Sequence, residues 1–96
     1  MTFPTTVDIL GRCYTVEYDE AMADLGECNQ DNLKIRIKPS QPLYLETDTV
    51  LHEIMHGIEI GMQLNMTERQ IYCITSGLMA VFKNNKELLS YISKAL

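Results

Sequence analysis

Both histidines of the chain fall in one short segment, His52-Glu53-Ile54-Met55-His56. Residues four positions apart lie on the same face of an α-helix, so two imidazoles at this spacing can bind one metal ion. Glu53 is then placed to hold a metal-bound water, to take its proton and to pass that proton to a leaving amine. The segment predicts a catalytic zinc site that hydrolyses peptide bonds. The alternative is a chance match on a surface helix with two solvated histidines.

A catalytic zinc ion needs a third protein ligand and an open fourth position. No third histidine is present, and the side-chain carboxylates that follow His56 are Glu59, Glu68 and Glu87. Glu59 would lie about 10 Å from His52 along a regular helix, which suits a supporting role, and helix capping accounts for Glu87. Glu68 opens the next helix and is the expected third ligand. The alternative is an acidic residue that stabilises a helix N-terminus.

Two further side chains are candidates for the site. Tyr72 stands four residues after Glu68 and should project from the same face of its helix, where a phenol would stabilise the oxyanion of a peptide-hydrolysis intermediate. A half-buried core position for Tyr72 is the slightly favoured alternative. Asp48 stands four residues before His52, where it would either orient that ring or stabilise the helix N-terminus, and the two roles are equally favoured.

The segment lies in a helical pattern. Apolar residues recur at helical spacing in Val50, Leu51, Ile54, Met55, Ile58 and Met62, which predicts a helix that begins between Pro42 and Thr47. Thr47 or Thr49 is a candidate N-cap for this helix. Thr67 and Gln70 form a capping box that opens a second helix. A third helix is predicted from Asn84 or Asn85 to the end of the chain.

The first part of the chain predicts strands. Val7 to Leu10 and Tyr14 to Tyr18 are expected to pair as a hairpin. Residues Leu33 to Lys38 alternate between apolar and basic residues, which predicts an exposed edge strand beside the motif helix. This order predicts an α+β fold: one domain over residues 1–96, with a small three-stranded sheet, the active-site helix and two further helices.

The composition excludes several classes of partner. The net charge is −5 and no basic run occurs, so we expect neither nucleic acid nor an anionic membrane as a partner. No apolar stretch is long enough for a membrane span. The three cysteines are widely spaced, which favours reduced thiols in a cytoplasmic protein over a Cys13–Cys28 disulfide. The oligomeric state is not indicated by the sequence.

The run from Thr49 to Ile58, together with Glu68-Arg69-Gln70 opening a helix, resembles the small HExxH-plus-Glu zincins. The most similar groups are the ImmA/IrrE-type peptidases and the minimal zincin-like proteins of phage and prophage genomes. The resemblance implies a zinc metallopeptidase that acts on a peptide or protein substrate, with His52, His56 and Glu68 as zinc ligands and Glu53 as the catalytic base. It also implies that the Leu33–Lys38 strand pairs with the substrate. The alternative function is a non-catalytic binding or regulatory module with a zincin fold.

Overall fold

The computed structural model describes residues 4–96. Four strands precede three helices, so the domain belongs to the α+β class, as predicted. The strands are β1 (Thr6–Ile9), β2 (Arg12–Tyr18), β3 (Gly26–Asn29) and β4 (Lys34–Ile37). The helices are α1 (Leu43–Met62), α2 (Glu68–Asn84) and α3 (Lys86–Ala95).

The sheet is mixed and has the strand order β1-β2-β4-β3. β1 and β2 form the predicted antiparallel hairpin, in which Val7 pairs with Tyr14. β4 runs parallel to β2 and antiparallel to β3. The sheet therefore has one strand more than the three predicted; the additional strand, β3, has only four residues, all of intermediate burial, and shows no alternating apolar pattern.

The prediction that the Leu33–Lys38 segment is an edge strand is wrong. Its strand, β4, lies between β2 and β3, and β3 forms the sheet edge that packs against α1. Basic residues are stable on this inner strand because acidic side chains flank them. Arg36 Nη1 lies 2.8 Å from Asp19 Oδ2, and Arg36 also pairs with Glu27. Lys34 Nζ lies 3.5 Å from Glu17 Oε1.

One face of the sheet and α1 enclose the core. The fully buried residues of this core are Ile9, Tyr14, Val16, Ile35 and Ile37. Val50, Ile54 and Ile58 of the predicted apolar stripe pack against them. The most buried positions of α1 are nevertheless Thr49, Glu53 and Gly57. Thr49 and Gly57 lie one turn on either side of Glu53, and their small side chains allow the sheet to pack closely against α1. The Glu53 carboxyl group is buried as a result.

The helix boundaries follow local chemistry. Thr47 and Thr49 do not cap α1, because the helix already begins at Leu43 and both hydroxyls donate to backbone carbonyls four residues earlier. Gln63 ends α1 in the left-handed conformation. The capping box at Thr67 is confirmed in full. α3 follows α2 after Asn85 and contributes no buried residue. Among residues 4–96, no helix combines the length and apolarity required to cross a membrane.

Candidate metal centre and its cleft

Three predicted ligands converge at the interface between α1 and α2. His52 and His56 lie one turn apart on α1, with ring centroids 4.9 Å apart. The turn after α1 returns the chain so that Glu68, the first residue of α2, reaches both rings. His52 Nε2 lies 3.3 Å from Glu68 Oε2, and His56 Nε2 is in contact with Glu68 Oε1. The sequence placed these three residues at one site, and the fold brings them together.

The donor set fits a divalent metal ion. One ligand atom from each of His52, His56 and Glu68 can be chosen so that all three lie within 4.8 Å of one another. Imidazole nitrogens and carboxylate oxygens are among the ligand atoms that zinc binds in proteins. Two imidazoles and one carboxylate are also a ligand set found in catalytic zinc sites.

A second carboxylate supports this arrangement. Glu59 Oε2 lies 3.6 Å from His56 Nδ1, the ring nitrogen that does not face Glu68. The other carboxylate oxygen of Glu59 accepts a hydrogen bond from the backbone N–H of Met66, at 3.3 Å. Glu59 thus contacts both His56 and the turn that delivers Glu68, which agrees with the supporting role expected for it. Asp48 lines the same cleft, but no hydrogen bond or ion pair among the described residues joins it to His52.

Glu53 lies behind the three ligands with only 6% of its surface exposed. Its burial raises the pKa of the carboxyl group to about 7; the nearby His56 opposes this rise, whereas Glu68, Glu27 and Asp24 add to it. A carboxyl group with a pKa near neutrality can exchange a proton efficiently at that pH. A bound divalent cation would favour the ionised form. No hydrogen bond from a described residue occupies the Glu53 carboxylate.

Gly26 is a site residue that the sequence did not reveal. It begins β3 and lies against α1 so closely that an added Cβ would stand 2.6 Å from Thr49 Cγ2 and 2.9 Å from Glu53 Oε2. The absence of a side chain at this position therefore allows the sheet edge to contact the Glu53 carboxylate. The only sequence signal was a single glycine at the start of a four-residue strand, which is too short to show an alternating pattern.

We expect Gly26→Ala to destabilise the protein by about 1–2 kcal/mol, because the new methyl group overpacks a rigid, buried threonine. Gly77→Ala is the matched control, since no atom lies within 4 Å of a Cβ placed at that exposed helical position. This second substitution should stabilise α2 by about 0.5–1 kcal/mol. Urea unfolding of both variants measures the two shifts. Equal stabilisation by the two alanines would contradict the close contact at Gly26.

The ligands and Glu53 line an open cleft of about 640 Å³ between α1, the start of α2 and the β3 edge. Tyr72 also lines this cleft, and 61% of its surface is exposed, so the core position considered for it is wrong. Its place one turn after Glu68 leaves the phenol accessible to a molecule in the cleft. The prediction of an oxyanion-stabilising role is compatible with this placement.

A second feature of the cleft that the sequence did not reveal is Cys28 of β3. Desolvation raises the pKa of its thiol to about 11, with a further contribution from the charge of Glu53. A thiol with so high a pKa is a poor nucleophile at neutral pH, so the chemistry of the cleft falls to the carboxylates and imidazoles. All three cysteines are free, and no Cys13–Cys28 disulfide is formed.

Comparison of the chain with protein-family models, with curated proteins and with solved structures finds no match.

Proposed function

We propose that this chain is a minimal zincin-like metallopeptidase that hydrolyses peptide bonds with a zinc ion held by His52, His56 and Glu68. The observation that carries the proposal is the convergence of these three side chains in front of a buried carboxyl group. A purely structural metal site has no need of a buried Glu53, because burying a carboxyl group costs free energy.

The chemistry divides between the metal and the chain. Zinc, when bound, activates a water as nucleophile at neutral pH and polarises the substrate carbonyl. Glu53 accepts the proton of the attacking water and returns it to the leaving amine. The hydroxyl of Tyr72 donates a hydrogen bond to the carbonyl oxygen as negative charge develops there. Glu59 holds His56 and the turn before Glu68, which limits the reorganisation of the ligands during the reaction.

β3 supplies the binding edge for an extended substrate. The backbone N–H of Lys38 donates a hydrogen bond to the carbonyl of Leu25, at 2.8 Å. In an antiparallel pair only alternate residues turn their backbone N–H and C=O groups toward the partner strand, so in β3 these groups point toward β4 at Glu27 and Asn29. The backbone groups of Gly26 and Cys28 consequently point away from the sheet, beside the cleft. A peptide added there would be held through main-chain hydrogen bonds and would cross in front of the metal ligands. This proposal replaces the Leu33–Lys38 strand, which is already paired on both sides.

The second candidate function is a zincin-fold binding or regulatory module that cleaves nothing. The observation that favours it is the exposure of Glu68, 72% of whose side-chain surface is accessible to solvent. A metal held by so exposed a ligand could serve as a docking point for a partner's carboxylate or histidine.

Cleavage of peptides separates the two candidates. The zinc-loaded protein should cleave an unstructured protein such as casein, and a zinc chelator should abolish this activity. Re-addition of zinc should restore it. Mass spectrometry of the products measures cleavage at defined bonds. Stoichiometric zinc without any cleavage would favour the non-catalytic module instead.

A further inference from the structure

Acidic side chains outnumber basic ones in the lining of the cleft. Its described lining includes five carboxylates, Asp24, Glu27, Asp48, Glu53 and Glu68, and no lysine or arginine. Arg36 pairs with Glu27 as well as with Asp19, and a bound divalent cation would balance Glu53 and Glu68. Asp24 and Asp48 remain without an ion pair among the described residues. With a metal bound, the cleft therefore carries at least two negative charges that no residue between positions 4 and 96 offsets.

These two aspartates flank one contact between β3 and α1, because Gly26 lies against Thr49, the residue that follows Asp48. Asp48 precedes His52 by one helical turn, about 6 Å along the axis of α1. Asp24 lies two residues before Gly26, the residue of β3 that contacts Thr49 and Glu53 of α1. A peptide residue advances about 3.3 Å in extended conformation. The aspartates are therefore within reach of a side chain that lies up to three residues from the cleaved bond.

Apolar surface accompanies the two charges. Leu45 lies about one turn before Asp48 on α1, and Leu25 adjoins Asp24; both line the cleft and are 37% and 46% exposed, respectively. Lysine and arginine side chains combine an apolar stem with a charged tip and pack best where both kinds of surface are available. A hydrated metal cation would gain nothing from the leucines. The combination is thus specific to a long cationic side chain.

The Glu53 carboxylate provides a second and independent indication that this cleft receives a ligand. The Glu53 side chain lines the cleft, the residue is only 6% exposed, and no described residue donates a hydrogen bond to its carboxylate. Polar groups in folded proteins are almost always paired, so the donor to this carboxylate comes from a water or a ligand in the cleft. The negative charge of the whole chain, −5, adds a field that attracts cationic peptides.

We propose that the substrates are basic peptides, with a lysine or arginine within three residues of the cleaved bond held between Asp24 and Asp48 and packed on Leu25 and Leu45. This inference rests on the proposed peptidase function. It extends that function by assigning a substrate class and two specificity-determining residues.

The test uses internally quenched octapeptides of alanine, leucine and glycine with one arginine at each position in turn. A matched set carries citrulline, which has the shape of arginine without its charge. Zinc-loaded wild-type protein should cleave the best arginine peptide with a kcat/KM about tenfold higher than its citrulline counterpart, and added salt should reduce the preference. Asp24→Asn and Asp48→Asn should each lower the preference by up to about fivefold. Asp31→Asn, in the β3–β4 turn, removes the same charge outside the cleft and should leave the preference unchanged.

Binding of the same peptides to the zinc-loaded Glu53→Gln variant, measured by fluorescence anisotropy, tests the cationic subsite separately from the peptidase function. If the wild type cleaves arginine and citrulline peptides equally, the substrate inference is overturned and the peptidase function stands. If nothing is cleaved but arginine-selective binding is lost on Asp24→Asn and Asp48→Asn, the cationic subsite stands and the peptidase function fails. Charge-independent binding without cleavage overturns both.

Discussion

Glu53→Gln is expected to reduce peptide cleavage by roughly two to four orders of magnitude, the usual contribution of general acid–base catalysis. Glutamine keeps the size of the side chain but cannot accept the proton of the attacking water. Glu53 is not among the three residues that converge on the metal position, so the variant should still bind stoichiometric zinc. Cleavage kinetics and elemental analysis of the same preparation measure both expectations.

The stability of this variant distinguishes lost chemistry from lost structure. The Glu53 side chain is 6% exposed, and a neutral amide avoids the cost of desolvating a carboxylate at this position. The metal-free variant should therefore unfold at a urea concentration equal to or above that of the metal-free wild type. Glu87→Gln, on the surface of α3, is the control for the loss of an acidic residue. Full activity in a zinc-loaded Glu53→Gln protein would refute the assigned mechanism.

The sequence predicted the meeting of His52, His56 and Glu68 better than it predicted the sheet. His52 and His56 lie one turn apart on the same helix, so their spacing in the sequence was enough to predict that their rings lie side by side. Glu68 required a further step, a short turn that folds α2 back onto α1, and the capping box at Thr67 located the start of α2 correctly. Local signals of this kind act within a few residues and can be read directly from the chain.

The position of the edge strand depended on long-range pairing, which the sequence does not encode locally. The basic residues of β4 suggested a solvent-exposed edge, yet their acidic partners come from β2 and β3. Only the assembled sheet brings Glu17 and Glu27 to either side of β4. β3 itself has four residues, all of intermediate burial, so neither an alternating nor a continuous apolar pattern marks it.

The burial of Glu53 was also invisible in the apolar pattern of α1. Three residues of the predicted stripe, Val50, Ile54 and Ile58, pack against the core, whereas Met62 at its end is 56% exposed. The centre of the buried surface lies one position earlier, on Thr49, Glu53 and Gly57. Small residues matter here through the close approach that they permit. Gly57 illustrates this, because a Cβ added there would lie 2.7 Å from Ile9 Cδ1.

Glu68→Ala is expected to weaken zinc binding by at least about 100-fold, because even residues that only support a metal ligand contribute roughly 10- to 100-fold. The chain has no other described acid that reaches both histidines. Competition with a chromophoric zinc chelator measures the affinity. Glu87→Ala is a closely matched control, since Glu87 likewise lies in the first turn of its helix. If Glu68 served only the helix dipole, the two alanine variants would each lose about 0.3–1 kcal/mol of stability and bind zinc as the wild type does.

The same variants report on the coupling between zinc and folding. A ligand that binds only the folded state at 100 times its Kd stabilises that state by about 2.7 kcal/mol. For a domain of 96 residues this is a large fraction of the total free energy of unfolding. Saturating zinc should therefore raise the unfolding midpoint of the wild type and of Glu87→Ala, but not that of Glu68→Ala at the same zinc concentration. An equal rise in all three proteins would place the metal elsewhere, and the assignment of Glu68 as a ligand would have to be abandoned.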